Sequence, residues 1–119
     1  MKRDWELIRK ILLALEELGS TQSYLKPEDI EGYDAELVSY HIKLLMEAGL
    51  LEGTCTKSIS APLHCVAYRL TWDGHELLDQ IRSRSVWNRV VEMARERGLD
   101  LSFEVVKAAA KMAITQILS

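Results

Sequence analysis

Few residue groupings in this 119-residue sequence could do chemistry. Cys55, His64 and Cys65 are three soft donors that a hairpin would gather, and with a fourth they would make a zinc site. No clear fourth donor and no Cys-x-x-Cys pair accompanies them. The expectation is therefore no metal, and two small, half-buried thiols roughly opposite each other in a reduced compartment. His75-Glu76 lacks the second histidine of a zinc-protease helix. The sequence has no glycine-rich phosphate loop, nucleophile elbow or convincing acid/base pair, so neither enzymatic activity nor a cofactor is expected. His41 lies beside an apolar line and reads as a packed, hydrogen-bonded histidine rather than a ligand or pH switch. Trp72, Trp87 and Tyr68 could frame a pocket, but aromatics at element junctions read first as core.

Two sets of polar residues suit a nucleic acid. Ser39, Tyr40 and Lys43 share a helical segment and could meet phosphates and base edges, with Lys57 following in a hairpin tip. The competing reading is an ordinary solvated face, since Glu36 and Glu47 lie on the same side. The second set is Arg82, Arg84, Arg89, Arg95 and Arg97, a basic flank for phosphate or an acidic partner. Its plainer reading is a solvated face in which Glu92 and Glu96 pair with arginines one turn away.

Charge is divided along the chain. The formal net charge is −3 with a pI near 5.6, so no global basic field draws the molecule onto nucleic acid or anionic membrane. Residues 1–49 carry six Lys/Arg against ten Asp/Glu, whereas residues 82–97 carry five arginines against two glutamates. Hydrophobic residues make up 48% and charged residues 28%, the balance of a packed globular chain rather than a disordered one. One domain is expected at this length. The longest charge-free run falls far short of the ~20 residues a bilayer span needs, and the charged opening lacks a signal-peptide core. A cytoplasmic protein with no membrane partner is the expectation.

Several helices and a hairpin must position these groups. Asp4 can cap a helix carrying Trp5, Ile8, Leu12 and Leu15, with Gly19 placed to end it. Tyr24 and Leu25 could be a short strand, and Pro27 with Glu28 and Asp29 could open a helix of barely more than one turn. Asp34 can cap a long helix on which Val38, Ile42 and Leu45 form one apolar line, ended by Gly49. Leu50–Lys57 and His64–Leu70 read as two strands joined by a tip with Pro62 in the turn. Thr71 can cap a helix from Trp72 to Arg82, and Ser85 one that Gly98 stops. Ser102 opens the last helix, from Phe103 to about Leu118. Trp5, Ile8, Leu12, Leu15, Val38, Ile42, Leu45, Leu70, Leu77 and Ile81 are the expected core.

That order, with Ala48-Gly-Leu-Leu-Glu52 entering the hairpin and Leu70-Thr-x-x-Gly74 leaving it, is the order of a winged helix-turn-helix. Val38 to Glu52 resembles the recognition helix and first wing strand of the MarR- and ArsR-type bacterial regulators, and Tyr68 to Leu78 resembles their passage after the wing. Over nearly the whole chain, the opening Met1-Lys-Arg-Asp4, Glu31-Gly-Tyr33, Arg69 to Glu76, and Val86-Trp-Asn88 with the Ser102-Phe-Glu104 helix resemble a family of short bacterial and prophage proteins of unknown function. The resemblance implies a winged-helix core and a phage origin, and supplies no activity. One departure stands out. Lys26–Tyr33 leaves room for only a stub of the first helix of a helix-turn-helix, which normally meets the DNA backbone, and the stub is acidic.

The expected fold is thus α+β and mostly helical, a winged helix-turn-helix core over 1–82 with a two-stranded wing. Two extra helices over 83–119 are expected to pack on it, giving one domain overall. The expected function is a small regulator binding double-stranded DNA through the helix from Asp34 to Ala48. The alternative is a protein-interaction module, such as a phage-encoded modulator of a host protein. Self-association as a homodimer is expected through Phe103, Val106, Ala109, Ala110, Ala113, Ile114 and Ile117, because apolar residues occupy well over half of that helix's circumference.

Overall fold

A computed structural model describes residues 1–118. The chain is α+β and mostly helical: α1 (Trp5–Glu16), a 3₁₀ turn (Pro27–Asp29), α2 (Ala35–Glu47), β1 (Leu51–Ser58), β2 (Ala61–Leu70), α3 (Trp72–Ile81), α4 (Arg84–Glu96) and α5 (Phe103–Leu118). It divides into two compact units, Met1–His75 and a second beginning at Glu76, with the boundary inside α3. Among the described residues no helix is long and apolar enough to cross a membrane.

In the first unit Asp4 Oδ1 accepts hydrogen bonds from the amides of Glu6 and Leu7 at 2.9 and 3.2 Å, satisfying two donors that the start of α1 leaves open. The helix ends at Glu16, short of Gly19. Glu17 N–H already closes on Leu13 O and Leu18 N–H on Leu15 O, which completes the last turn. α2 packs against both strands, α1 and the 3₁₀ turn, and α1 packs on β2. Val38, Ile42 and Leu45 of α2 and Trp5, Ile8, Leu12 and Leu15 of α1 are buried, as is Leu70. α2 stops in a Schellman arrangement: Gly49 has φ +74°, its N–H reaches Met46 O, and Leu50 N–H reaches Leu45 O.

The hairpin is longer and tighter than expected. β1 and β2 are antiparallel with Leu51 opposite Leu70 and Cys55 opposite Cys65, and only Ile59 and Ser60 form the turn. Pro62 lies in β2 rather than in the turn, at the exposed end of an edge strand where its missing N–H removes no ladder bond from the core. Leu25 forms an isolated antiparallel bridge to Ala67, with hydrogen bonds of 2.8 and 3.0 Å, so the segment ahead of the 3₁₀ turn is tied to the hairpin. Gly53 faces this sheet closely; a Cβ there would meet Val66 O well under 3.0 Å.

In the second unit α4 and α5 pack together. The cap of α4 is Ser83 rather than Ser85, because α3 ends at Ile81 and only two residues separate the helices; Ser83 Oγ accepts from Val86 N–H at 3.4 Å. Val106, Ala109, Ala110 and Ala113 of α5, and Val86, Trp87, Val90, Met93 and Ala94 of α4, are buried. Spacings of three and four put each set on one helix face. Gly98, with φ +66°, ends α4 as Gly49 ends α2. Leu77 and Ile81 belong to this unit and are buried.

Candidate functional site

The exposed side of α2 is a narrow stripe. Glu36, Tyr40, Lys43 and Glu47 recur at helical spacing, Tyr40 and Glu36 partly exposed and Lys43 and Glu47 exposed. Tyr40 is steadied by an edge contact with the His41 ring at 5.9 Å. Lys57 is exposed near the hairpin tip. Ser39 does not join this set. It is fully buried and its Oγ accepts the Cys65 amide at 3.0 Å, so it cannot reach a groove; its hydroxyl satisfies a strand donor that no neighbouring strand pairs.

His41 sits inside as a structural group. Its Nε2 accepts the Asp4 amide at 2.8 Å and its Nδ1 donates to Leu37 O at 2.9 Å, which fixes the neutral Nδ1–H tautomer and ties the start of α1 to α2. Around the N-terminal end of α2, Glu28, Asp29, Glu31 and Asp34 are all exposed. Asp34 occupies the cap position without making a side-chain capping bond. His64 faces Glu28 at 3.3 Å, and Asp29 Oδ2 accepts the Lys26 amide at 2.9 Å. The first unit carries eight Lys/Arg against twelve Asp/Glu, a net −4.

The two cysteines are joined to each other. Cys55 and Cys65 form a disulfide across the hairpin, with Cα atoms 4.0 Å apart, which overturns the expectation of free thiols. Directly opposed residues of an antiparallel pair approach this closely where their own amides point away from the partner strand, as the Cys65 amide does toward Ser39. Cys65 is buried and Cys55 partly exposed, with Cys55 Sγ 4.0 Å from Met46 Sδ. Both sulfurs thus lie on the side of the hairpin facing α2.

The arginines from 82 to 97 are largely engaged locally. Arg82 pairs with Asp79 at 2.7 Å, and Arg89 with Glu92 at 3.1 Å and Glu96 at 3.7 Å. Arg95 and Arg97 are exposed, and Arg97 borders a cleft of about 110 Å³ with Met93, Leu99, Val105 and Met112. Of the expected self-association residues, Val106, Ala109, Ala110 and Ala113 are buried within their own chain, because alanines let α4 approach. Phe103 and Ile114 are half-buried, and Ile117 is 58% exposed. Trp87 is core as expected, whereas Trp72 is 78% exposed and Tyr68 45% exposed. Trp72 opens α3 one residue after its cap, where the helix turns that side chain outward.

A second groove, of about 380 Å³, runs along Leu15, Leu18, Tyr68, Arg69 and His75. Arg69 is held there by both carboxylate oxygens of Glu52 at 2.8 Å, so its charge is already met. A family profile described as "Hypothetical protein (DUF2513)" matches residues 2–100. A Haemophilus influenzae protein named "Uncharacterized protein" is 44% identical over 119 residues, which is 100% of both chains. No solved structure matches.

Proposed function

We propose that this chain, which belongs to the hypothetical protein (DUF2513) family, is a small winged-helix protein that docks on duplex DNA through the exposed stripe of α2 and the hairpin. The observation that carries this reading is the Leu25–Ala67 bridge. It ties the hairpin to the segment before α2, so α1, the 3₁₀ turn, α2 and the hairpin belong to one compact unit, with Tyr40 partly exposed and Lys43 exposed on α2. In a helix-turn-helix the second helix lies in the major groove and the first crosses the backbone. Here the first is reduced to the Pro27–Asp29 turn, and its acids repel phosphate. Contact is therefore centred on Tyr40, Lys43 and Lys57.

So small a cationic footprint has a measurable signature. Two phosphate contacts give a salt slope near −2 per copy, so affinity should fall only about tenfold between ~50 and ~200 mM salt. Tyr40→Ala combined with Lys43→Glu should abolish binding to a pool of genomic fragments in a gel-shift or anisotropy titration. Binding retained by that double variant would move the site to the arginines from Arg82 to Arg97. A parent chain that binds no fragment at ~50 mM salt would reject DNA as the ligand. One observation favours a second reading, a protein-interaction module with a basic partner: the exposed acids Glu28, Asp29, Glu31 and Asp34 cluster at the docking end of α2.

Reading two half-sites requires two copies, and the remaining apolar surface of α5 is the proposed contact. Met112 at 42% exposed, Ile117 at 58% and Leu118 at 81% are large apolar residues of α5 that stay uncovered beside its buried alanine face. Light scattering at ~50 µM should show a dimer for the parent and a folded monomer for Ile117→Glu, since desolvating a new carboxylate in an interface is costly. A monomeric parent would refute this.

A further inference from the structure

We propose that Cys55–Cys65 is a reversible thiol–disulfide site that fastens the hairpin to α2, opened by dithiol reductants entering at Cys55. Nothing in the hairpin requires a permanent clamp. Its register is already set by a two-residue turn and by the pairs on either side of the cysteines, Thr54 with Val66 and Thr56 with His64. The cysteines are separated by only 10 residues in sequence, so the loop that the crosslink closes lies wholly within the hairpin. What the bond adds is local: it joins the strand position that Ser39 grips through the Cys65 amide to the strand position whose Sγ lies against Met46. Both anchoring residues belong to α2. Closing the bond holds the outer hairpin, with Lys57, against that helix; opening it leaves two small thiols that fit the same partly apolar space.

The unequal burial of the two sulfurs sets the order of events. Cys65 is fully buried whereas Cys55 is partly exposed, so the Cys55 side of the bond is the side open to a reductant. A reductant thiolate attacks Cys55 Sγ, forming a mixed disulfide there and expelling Cys65 as a thiolate that takes a proton. The reductant's second thiol, as thiolate, attacks its own sulfur in that mixed disulfide. This releases the Cys55 thiolate, which is protonated, and closes the reductant's disulfide. Two electrons pass from the dithiol to the protein, and both sulfurs of each partner are accounted for. Expelling a buried thiolate is slow, so exchange should lag behind that of an exposed disulfide.

The test is thiol exchange on the full chain, without denaturant. In mixtures of reduced and oxidised glutathione near neutral pH, alkylation and intact mass should show the chain passing between zero and two free thiols as the ratio changes. Two free thiols at every ratio would overturn the proposal, as would a crosslink that survives excess dithiothreitol. Cys65→Ser, which leaves Cys55, should take up glutathione at least about tenfold faster than Cys55→Ser, which leaves the buried Cys65; equal rates would overturn entry at Cys55. Trypsin cleavage after Lys57 should rise roughly tenfold on reduction, because the released tip opens locally. Cleavage at the same rate in both forms would show that the bond fastens nothing.

Discussion

Gly74→Ala should destabilise the protein by about 3 kcal/mol or more, even though the same change in an exposed helix interior gains about 1 kcal/mol. The added Cβ would fall well under 3.0 Å from the carbonyl oxygen of Leu50, at 3.0 Å from its carbon and at 3.3 Å from Leu70 Cδ2. A flexible side chain could step aside, but this obstacle is backbone and it is held on three sides. Leu50 N–H is bound to Leu45 O, Leu50 O accepts the Thr71 amide at 3.1 Å, and Thr71 Oγ1 donates to Gly49 O at 2.6 Å. Thr71 Oγ1 also accepts the Gly74 amide at 3.1 Å, so the cap of α3 would be disturbed by the same displacement. Gly19→Ala, where nothing lies within 4 Å, is the matched control and should change stability little. Urea unfolding of both variants beside the parent reads the difference; a Gly74→Ala midpoint equal to that of Gly19→Ala would show that the contact relaxes freely.

That contact also explains why the sequence carried as much of the fold as it did. The two stretches that resemble winged-helix regulators, Ala48-Gly-Leu-Leu-Glu52 and Leu70-Thr-x-x-Gly74, are the two sides of one junction. Gly49 supplies the positive φ, Thr71 the cap and Gly74 the space, so each residue type answers a local demand that can be read without coordinates. Long apolar helices were legible for the same reason: the burial of Val38, Ile42 and Leu45 follows from helical spacing. Ser39 was not. Its place in the stripe beside Tyr40 suits a solvent-facing hydroxyl, and what draws it inward is an unpaired strand amide 26 residues away. The alanines of α5 were misleading in a related way. A wide apolar circumference predicts two partners, but Ala109, Ala110 and Ala113 serve one close packing with α4 and leave only its flanks free. The opposition of Cys55 and Cys65 was readable from strand spacing, whereas the bond between them depends on the residue-by-residue register that the turn at Ile59 and Ser60 sets. Placing Pro62 in the turn left that register loose.

Ile42→Ala is expected to cost ~2 to 5 kcal/mol, a large part of the roughly 5 to 15 kcal/mol that holds a domain of this size together. Ile42 is completely buried near the middle of α2, the helix against which α1, both strands and the 3₁₀ turn all pack. Truncation removes three carbons from a place where several elements converge, and a site walled by a sheet on one side and a helix on another cannot collapse without moving one of them. The cost therefore includes the cavity as well as the lost transfer energy. Ile42→Val removes one methylene and should cost about 0.5 to 1.5 kcal/mol, giving a graded series at one position. Ile117→Ala, at a residue 58% exposed, removes the same atoms with little burial and should cost under about 0.5 kcal/mol in the monomer. Denaturant midpoints at constant slope read all three, and a loss below about 1 kcal/mol for Ile42→Ala would mean that α2 is not the central packing element on which the exposed stripe of Tyr40 and Lys43 depends.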